Sequence, residues 1–276
     1  MQKSYIKKGK DYRHGFLIKR IPKVLIPYAV FNLLFLILLN AEGNKTGLKD
    51  VLLSVLNGEP IVSFSWYVID ILAFYFVYYL LMRICRKKYY LMILLGIVYI
   101  IVKTLFCKKM AYGSYWYKTT HMIIVGMIWA TYENKIINVV RKRYKEITAA
   151  TVILSVVMYI ICTVTSSKVQ DGFNHEIYML LARTEAIIFV AAVLMLSMSI
   201  KGSNLLLKWL GKISYETYLS QGIMFNILLK KGLNETNSLL FAVLTISGTL
   251  VISACLNKVF IHILNLYSGL IKKHLN

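Results

Sequence analysis

Acidic residues are scarce in this chain. Asp and Glu together number 12 against 33 Lys and Arg, only 16% of residues are charged while 58% are hydrophobic, and the formal net charge is +21. A soluble helical protein needs far more surface polarity than this, so a water-exposed globule is excluded. Cysteine is sparse as well. Cys85, Cys107, Cys162 and Cys255 are too dispersed for a CxxC metal or redox site, and sequence sets no distance between Cys107 and Cys162, which could both lie toward one membrane face. Residues 1–23 are polar and basic, with no short apolar run ending in small residues, so no cleavable signal peptide is evident. No 20–50 residue repeat, low-complexity tract or pair of matching interrupted helices appears, and the last of these marks many transporters. The longest loop between apolar stretches, 41–64, has too little apolar content for a core, so 1–276 reads as a single membrane domain.

What is present is a series of eight apolar stretches, near 24–40, 65–82, 90–107, 119–132, 147–165, 177–200, 213–229 and 238–265. A bilayer core of about 30 Å needs about 20 apolar residues per helix, and backbone left unpaired in lipid is costly. The expected fold class is therefore all-α: a polytopic transmembrane bundle of about eight spans. Taking the segments outside the spans alternately places 22 basic residues on one side and 8 on the other, with Lys103, Arg183 and Lys258 inside spans. The positive-inside rule then puts both termini in the cytoplasm. Because the basic residues sit at span boundaries rather than on one continuous polar face, they read as topology signals and contacts to anionic membrane lipid, not as a nucleic-acid surface. Trp66, Tyr67, Tyr89, Tyr90, Tyr112, Tyr115, Trp116 and Trp209 cluster near span ends, where amphipathic rings favour the interface.

Two stretches carry more than topology. FLIKRIPKVLIPY puts Lys19, Arg20 and Lys23 beside a helix start containing Pro22 and Pro27, and prolines early in a helix cost little. Arg20 and Lys23 are three apart, so on a helix they share a face and can grip a phosphate-bearing ligand together, or serve only as flanking charge. LGKISYETYLSQ, at 210–221, opens the seventh expected span. Ser214 is placed to cap its start, Glu216 to sit in the first turn, and Tyr215, Tyr218 and Gln221 to form one stripe. The competing reading is a capped helix start with interfacial tyrosines.

With these segments in view, the chain resembles the acyltransferase-3 family of integral membrane acyltransferases, over about 16–262. FLIKRIPKVLIPY looks like that family's basic stretch before an Ile/Pro-rich span. SWYVIDILAFY, beginning at Ser65 and including Trp66, is similar to its Trp-aromatic span, and Gly211, Ser214, Tyr215 and Tyr218 fit its Gly-Lys-x-Ser-Tyr-x-x-Tyr-Leu signature. The resemblance implies a membrane-embedded transferase that moves an acyl group, in the simplest case acetyl, from an acyl-CoA donor held near Arg20 and Lys23 to a hydroxyl of a surface or exported carbohydrate acceptor at the cell membrane. It implies no bound cofactor, and O-acetylation of polysaccharide as the process. Lys23 stands where the family usually has a second Arg, and Gln221 where many members have His. The family's ten spans and its catalytic His in the first of them imply that two spans are missing before the eight seen here and leave the catalytic base unassigned, so a shortened member, inactive or completed by a separate chain, is a second reading. His14 lies in a solvated basic segment and does not replace that His. A glycan or lipid translocator is a third.

Ionisable residues inside spans add independent information, since they usually face a cavity or partner. Asp70, Lys103, His121, Arg183 and Glu185 all fall within about two helical turns of the expected outer side, where they would line one outward polar cavity. Arg183 and Asp70 suit an ion pair. Glu185, two residues from Arg183, faces elsewhere. His121 is either a base near an acceptor hydroxyl or an interfacial His with satisfied hydrogen bonds.

Overall fold

The computed structural model describes residues 1–41, 43–62, 65–86, 88–118, 120–168, 175–199 and 204–275. Among these it holds thirteen helices and no strand: α1 (Gln2–Lys8), α2 (Lys10–Arg13), α3 (Phe16–Ala41), α4 (Leu48–Leu56), α5 (Trp66–Cys85), α6 (Tyr89–Lys109), α7 (Tyr115–Lys118), α8 (His121–Lys142), α9 (Tyr144–Lys168), α10 (His175–Ser199), α11 (Leu205–Lys230), α12 (Leu233–Thr236) and α13 (Ser238–Leu275). The protein is a helical membrane bundle, the architecture in which every backbone N–H and C=O can pair within its own segment.

Six stretches among the described residues are long and apolar enough to cross a membrane: Lys10–Ala41, Trp66–Cys85, Tyr89–Lys109, Tyr144–Lys168, His175–Met198 and Ser238–Tyr267. The other two expected spans, 119–132 and 213–229, are also helical, as α8 and α11. These helices are more polar: α8 carries Glu133, Lys135, Arg141 and Lys142, and α11 carries Lys208, Lys212, Glu216 and Lys230. Thr119 and Ile200, at the ends of two expected spans, lie outside the described residues. All four cysteines are free thiols.

The chain forms two compact units, Met1–His14 with Leu80–Gly202, and Gly15–Tyr79 with Ser203–Asn276, so their boundary falls inside α5. In the first unit α9 and α10 form an antiparallel pair, closed where Tyr144 Oη donates to the Met195 carbonyl at 2.7 Å. α6 packs on α8 at Gly96, where a Cβ would lie 2.6 Å from Ile124 Cδ1, so a larger residue there would have to displace the end of that side chain. The N-terminal arm is tied down: Gln2 Nε2 donates to Thr131 Oγ1 at 3.2 Å, Lys3 pairs with Glu133 at 2.8 Å, and Tyr5 Oη donates to the Met82 carbonyl at 3.2 Å.

The core of the second unit is built from Tyr28, Phe31 and Phe35 of α3, Val62, Val68 of α5, Leu219 and Ile223 of α11, and Phe260 of α13. α11 and α13 meet along a seam of small polar residues. Ser220 Oγ and Ser253 Oγ are 2.8 Å apart with both residues fully buried, and a Cβ on Gly248 would come within 2.5 Å of Met224. Without a hydrophobic drive between helices in lipid, close backbone approach and such hydrogen bonds hold them together.

The 41–64 segment contains a short helix, α4, where Asp50 Oδ2 accepts from the Gly47 N–H at 2.7 Å. Beyond it the chain turns at Gly58 (φ +79°), and Val62 and Ser65 are fully buried. α5 therefore begins beside the middle of α3 rather than its far end, since Val68 shares a cluster with Tyr28 while Phe16, at the start of α3, stacks against Tyr75 and Tyr78.

Candidate active site

α3 begins at Phe16, so Pro22 and Pro27 fall inside the helix and not in its first turn, contrary to the expectation from sequence. Neither proline has an N–H to give. The carbonyls of Ile18 and Lys23 consequently lose their amide partners four residues on, and the helix is loosened there. At this point Tyr215 Oη, from α11, donates to the Val24 carbonyl at 2.8 Å. Arg20, half-buried, and Lys23, exposed, stand in the turn just before that carbonyl.

α11 begins at Leu205, well before the LGKISYETYLSQ stretch. Asn204 caps it, its side-chain oxygen accepting from the Leu206 N–H at 2.9 Å and the Leu207 N–H at 3.4 Å. Ser214 is thus no cap: it is exposed in the helix interior, its Oγ donating to the Gly211 carbonyl at 3.1 Å. Asn caps as well as Ser, and one mid-helix glycine such as Gly211 costs only about 1 kcal/mol, too little to stop the helix. Glu216 is correspondingly not in a first turn. It is buried at 6% exposure, its Oε1 accepts from Asn257 Nδ2 at 3.0 Å, and Oε2 is buried with no hydrogen-bond donor. The same Asn257 nitrogen reaches the Lys212 carbonyl at 3.3 Å, bracing α13 against α11.

One turn beyond Tyr215, Tyr218 meets Tyr67 of α5 edge to face, with ring centroids 5.9 Å apart, and Tyr67 is stacked in the same manner on Trp66 at 5.9 Å. Asp70, one turn along α5, is 3% exposed and acts electrostatically on Tyr67. Tyr75 interacts with both Tyr67 and Tyr215, and Tyr28 with Tyr215. Three helices therefore bring five tyrosines into one linked group, in which Tyr67, 40% exposed, is the one that interacts with the buried Asp70 and Tyr215 is held on the Val24 carbonyl. Hydroxyls can donate to a carbonyl oxygen as it gains charge, and a carboxylate can accept a proton.

The remaining residues expected at an outer cavity belong to the first unit. His121 is the first residue of α8, half-buried with both ring nitrogens buried, and follows Thr120, whose Oγ1 accepts from Lys103 Nζ at 2.8 Å. Arg183 is half-buried on α10, its Nε without a hydrogen-bond acceptor, and acts electrostatically on Glu176, which pairs with Lys108 at 2.6 Å. Glu185 acts electrostatically on Cys162 of α9. Among the described residues no three His, Cys, Asp or Glu side chains gather as metal ligands.

The acyltransferase-3 domain profile matches residues 6–258. The chain belongs to the acyltransferase-3 family. No curated protein and no solved structure gives a significant match. The matched region of this acyltransferase-3 protein contains all three motif segments, and the second unit brings them into contact. Sequence reasoning missed Tyr28, Tyr75, Asn257 and the burial of Glu216. Tyr28 had a signal, a polar side chain directly after an in-helix proline; Asn257 had none, because only tertiary packing places it opposite Glu216.

Proposed function

We propose that this acyltransferase-3 protein moves an acyl group, acetyl in the simplest case, from a CoA-type thioester to a hydroxyl of a surface or exported glycan at the cell membrane. What supports this reading most is the bond from Tyr215 to Val24, which ties the signature helix to the turn bearing Arg20 and Lys23, while Tyr218, one turn on, meets Tyr67 of α5. Arg20 and Lys23 hold the donor's phosphates through charge-assisted hydrogen bonds. Asp70 takes the proton of the acceptor hydroxyl as its oxygen attacks the thioester carbonyl, and tyrosine hydroxyls donate to the oxyanion. The C–O bond forms, the C–S bond breaks, and the thiolate leaves and takes up a proton.

The same reading has eight spans with both termini cytoplasmic. Its support is that segments assigned to one side pair with each other: Tyr5 with Met82 and Tyr89, and Lys108 with Glu176. Reporter fusions at Asn44, Ser114, Ser167 and Glu235 should all report the outside, and a stable fusion reporting the cytoplasm would overturn the count around it. The enzymatic test uses purified protein in liposomes with labelled acetyl-CoA and membrane glycan. Arg20→Gln should raise KM for the thioester about tenfold or more, as charged hydrogen bonds of about 1.5–3 kcal/mol require, while Lys7→Gln leaves it unchanged. Equal effects, or no transfer by the wild type, would refute the assignment.

A further inference from the structure

Four cations from distant parts of the sequence converge on one cavity of the first unit. Its volume is about 760 Å³, and its walls carry Lys10, Arg13, Arg83 and Arg86, with Tyr5 and Gly9 between them. None of its described lining residues is acidic.

The walls are built rather than incidental. α1 is held by Tyr5, which is 3% exposed, hydrogen-bonded to the Met82 carbonyl and edge-on to Tyr89 at 6.2 Å. Gly9 turns α1 into α2 at φ 58°, ψ −125°, a conformation that side chains with a Cβ scarcely reach, and so brings Lys10 and Arg13 to the cavity. On the opposite wall α5 ends at Cys85 and Arg86 adopts φ +38°, the left-handed region uncommon for any residue but glycine, with the turn closed by the Lys88 N–H on the Cys85 carbonyl at 2.8 Å. A charge that serves only topology has to be on the correct side of the membrane and nothing more. It requires neither a concave wall, nor a glycine-only turn, nor a left-handed arginine. Like charges gathered in a concavity raise the local potential and concentrate anions there.

The choice of residue narrows the anion. Three of the four cations are arginines, whose planar fork pairs bidentately with phosphate, and the volume lies within the range of small-molecule sites. We propose that this cavity binds the phosphorylated head of a ligand, either a soluble nucleotide-type phosphate or the headgroup of an anionic phospholipid. No acyl group or transfer step enters this assignment, so it stands or falls apart from the transferase reading.

The test measures binding by the full chain in nanodiscs of phosphatidylcholine alone, with two probes, adenosine 3′,5′-bisphosphate and dihexanoyl phosphatidic acid. At least one should bind, more weakly as salt rises. Arg13→Gln and Arg86→Gln should each weaken it about tenfold or more, Arg13→Lys should fall between, and Lys142→Gln, at the exposed end of α8, should match the wild type. Binding of the bisphosphate alone assigns the cavity to a soluble ligand, and of phosphatidic acid alone to lipid. Arg13→Lys keeps the charge and carries the test if a glutamine variant melts early. The proposal is overturned if neither probe binds the wild type, or if the arginine variants bind as tightly as Lys142→Gln.

Discussion

The two units use similar apolar residues to different ends. In the second, α3 buries 39% of its most apolar stretch, and that buried face carries Tyr28 and Asn32 among its phenylalanines. In the first, α9 buries none of its corresponding stretch and turns Ile153, Val156 and Tyr159 outward at 63%, 55% and 64% exposure. Apolar side chains facing outward along a spanning helix are solvated by lipid and need no protein partner, whereas polar groups inside a bundle need company. The proposed chemistry thus sits on helices surrounded by protein, whereas α9 turns outward an apolar face that lipid can solvate.

That contrast is broken most directly at the two candidate bases. Asp70→Asn should lower the transfer rate about 10²- to 10⁴-fold with thermal unfolding unchanged, because general-base catalysis contributes on that scale. His121→Ala, in the other unit, should leave the rate within a few-fold. The reverse result would move the chemistry to the first unit. Packing provides the next largest difference. Gly248→Leu should destabilise the protein by about 1–3 kcal/mol in detergent unfolding, since overpacking a close helix contact costs that much, whereas Val156→Leu on α9 should be silent. A cost at Val156 as large as that at Gly248 would mean that α9 is covered in the membrane.

Smaller effects sharpen the comparison. Tyr215→Phe keeps the ring and removes only the bond to Val24, so unfolding free energy should fall by about 0.5–1.5 kcal/mol. KM for the thioester should rise several-fold, as the turn carrying Arg20 loses its tie. An unchanged KM would separate that turn from donor binding. Lys108→Ala removes a pair in which Glu176 is exposed, and the melting temperature should not move measurably.

Much of this was legible in the sequence. Apolar run length and composition gave the fold class, and LGKISYETYLSQ gave the family, because both are local properties. Helix limits were less legible. Ser214 looks like a cap only if the helix begins at the motif, yet Asn204 lies upstream and Leu205–Leu207 continue the same apolar pattern, so the better-placed cap won. The burial of Asp70 was hidden because it comes from the packing of α5 with α3 and α11, which no periodicity within α5 announces. The basic cavity was hidden for a related reason. Lys10, Arg13, Arg83 and Arg86 each look like ordinary flanking charge until the fold brings the two stretches together.

The hydrogen bond from Tyr215 to Val24 joins residues 191 positions apart. At roughly 5–20 residues per second, a ribosome delivers Tyr215 about 10–40 s after Val24. Throughout that interval the Val24 carbonyl has only its helical partner, and the turn beside it, where Pro27 leaves the Lys23 carbonyl without an amide, lacks the tie to α11. A turn made early is thus braced by a side chain made late: in a nascent chain arrested before α11 the segment bearing Arg20 and Lys23 is held by α3 alone, and in a completed one it is pinned to the signature helix.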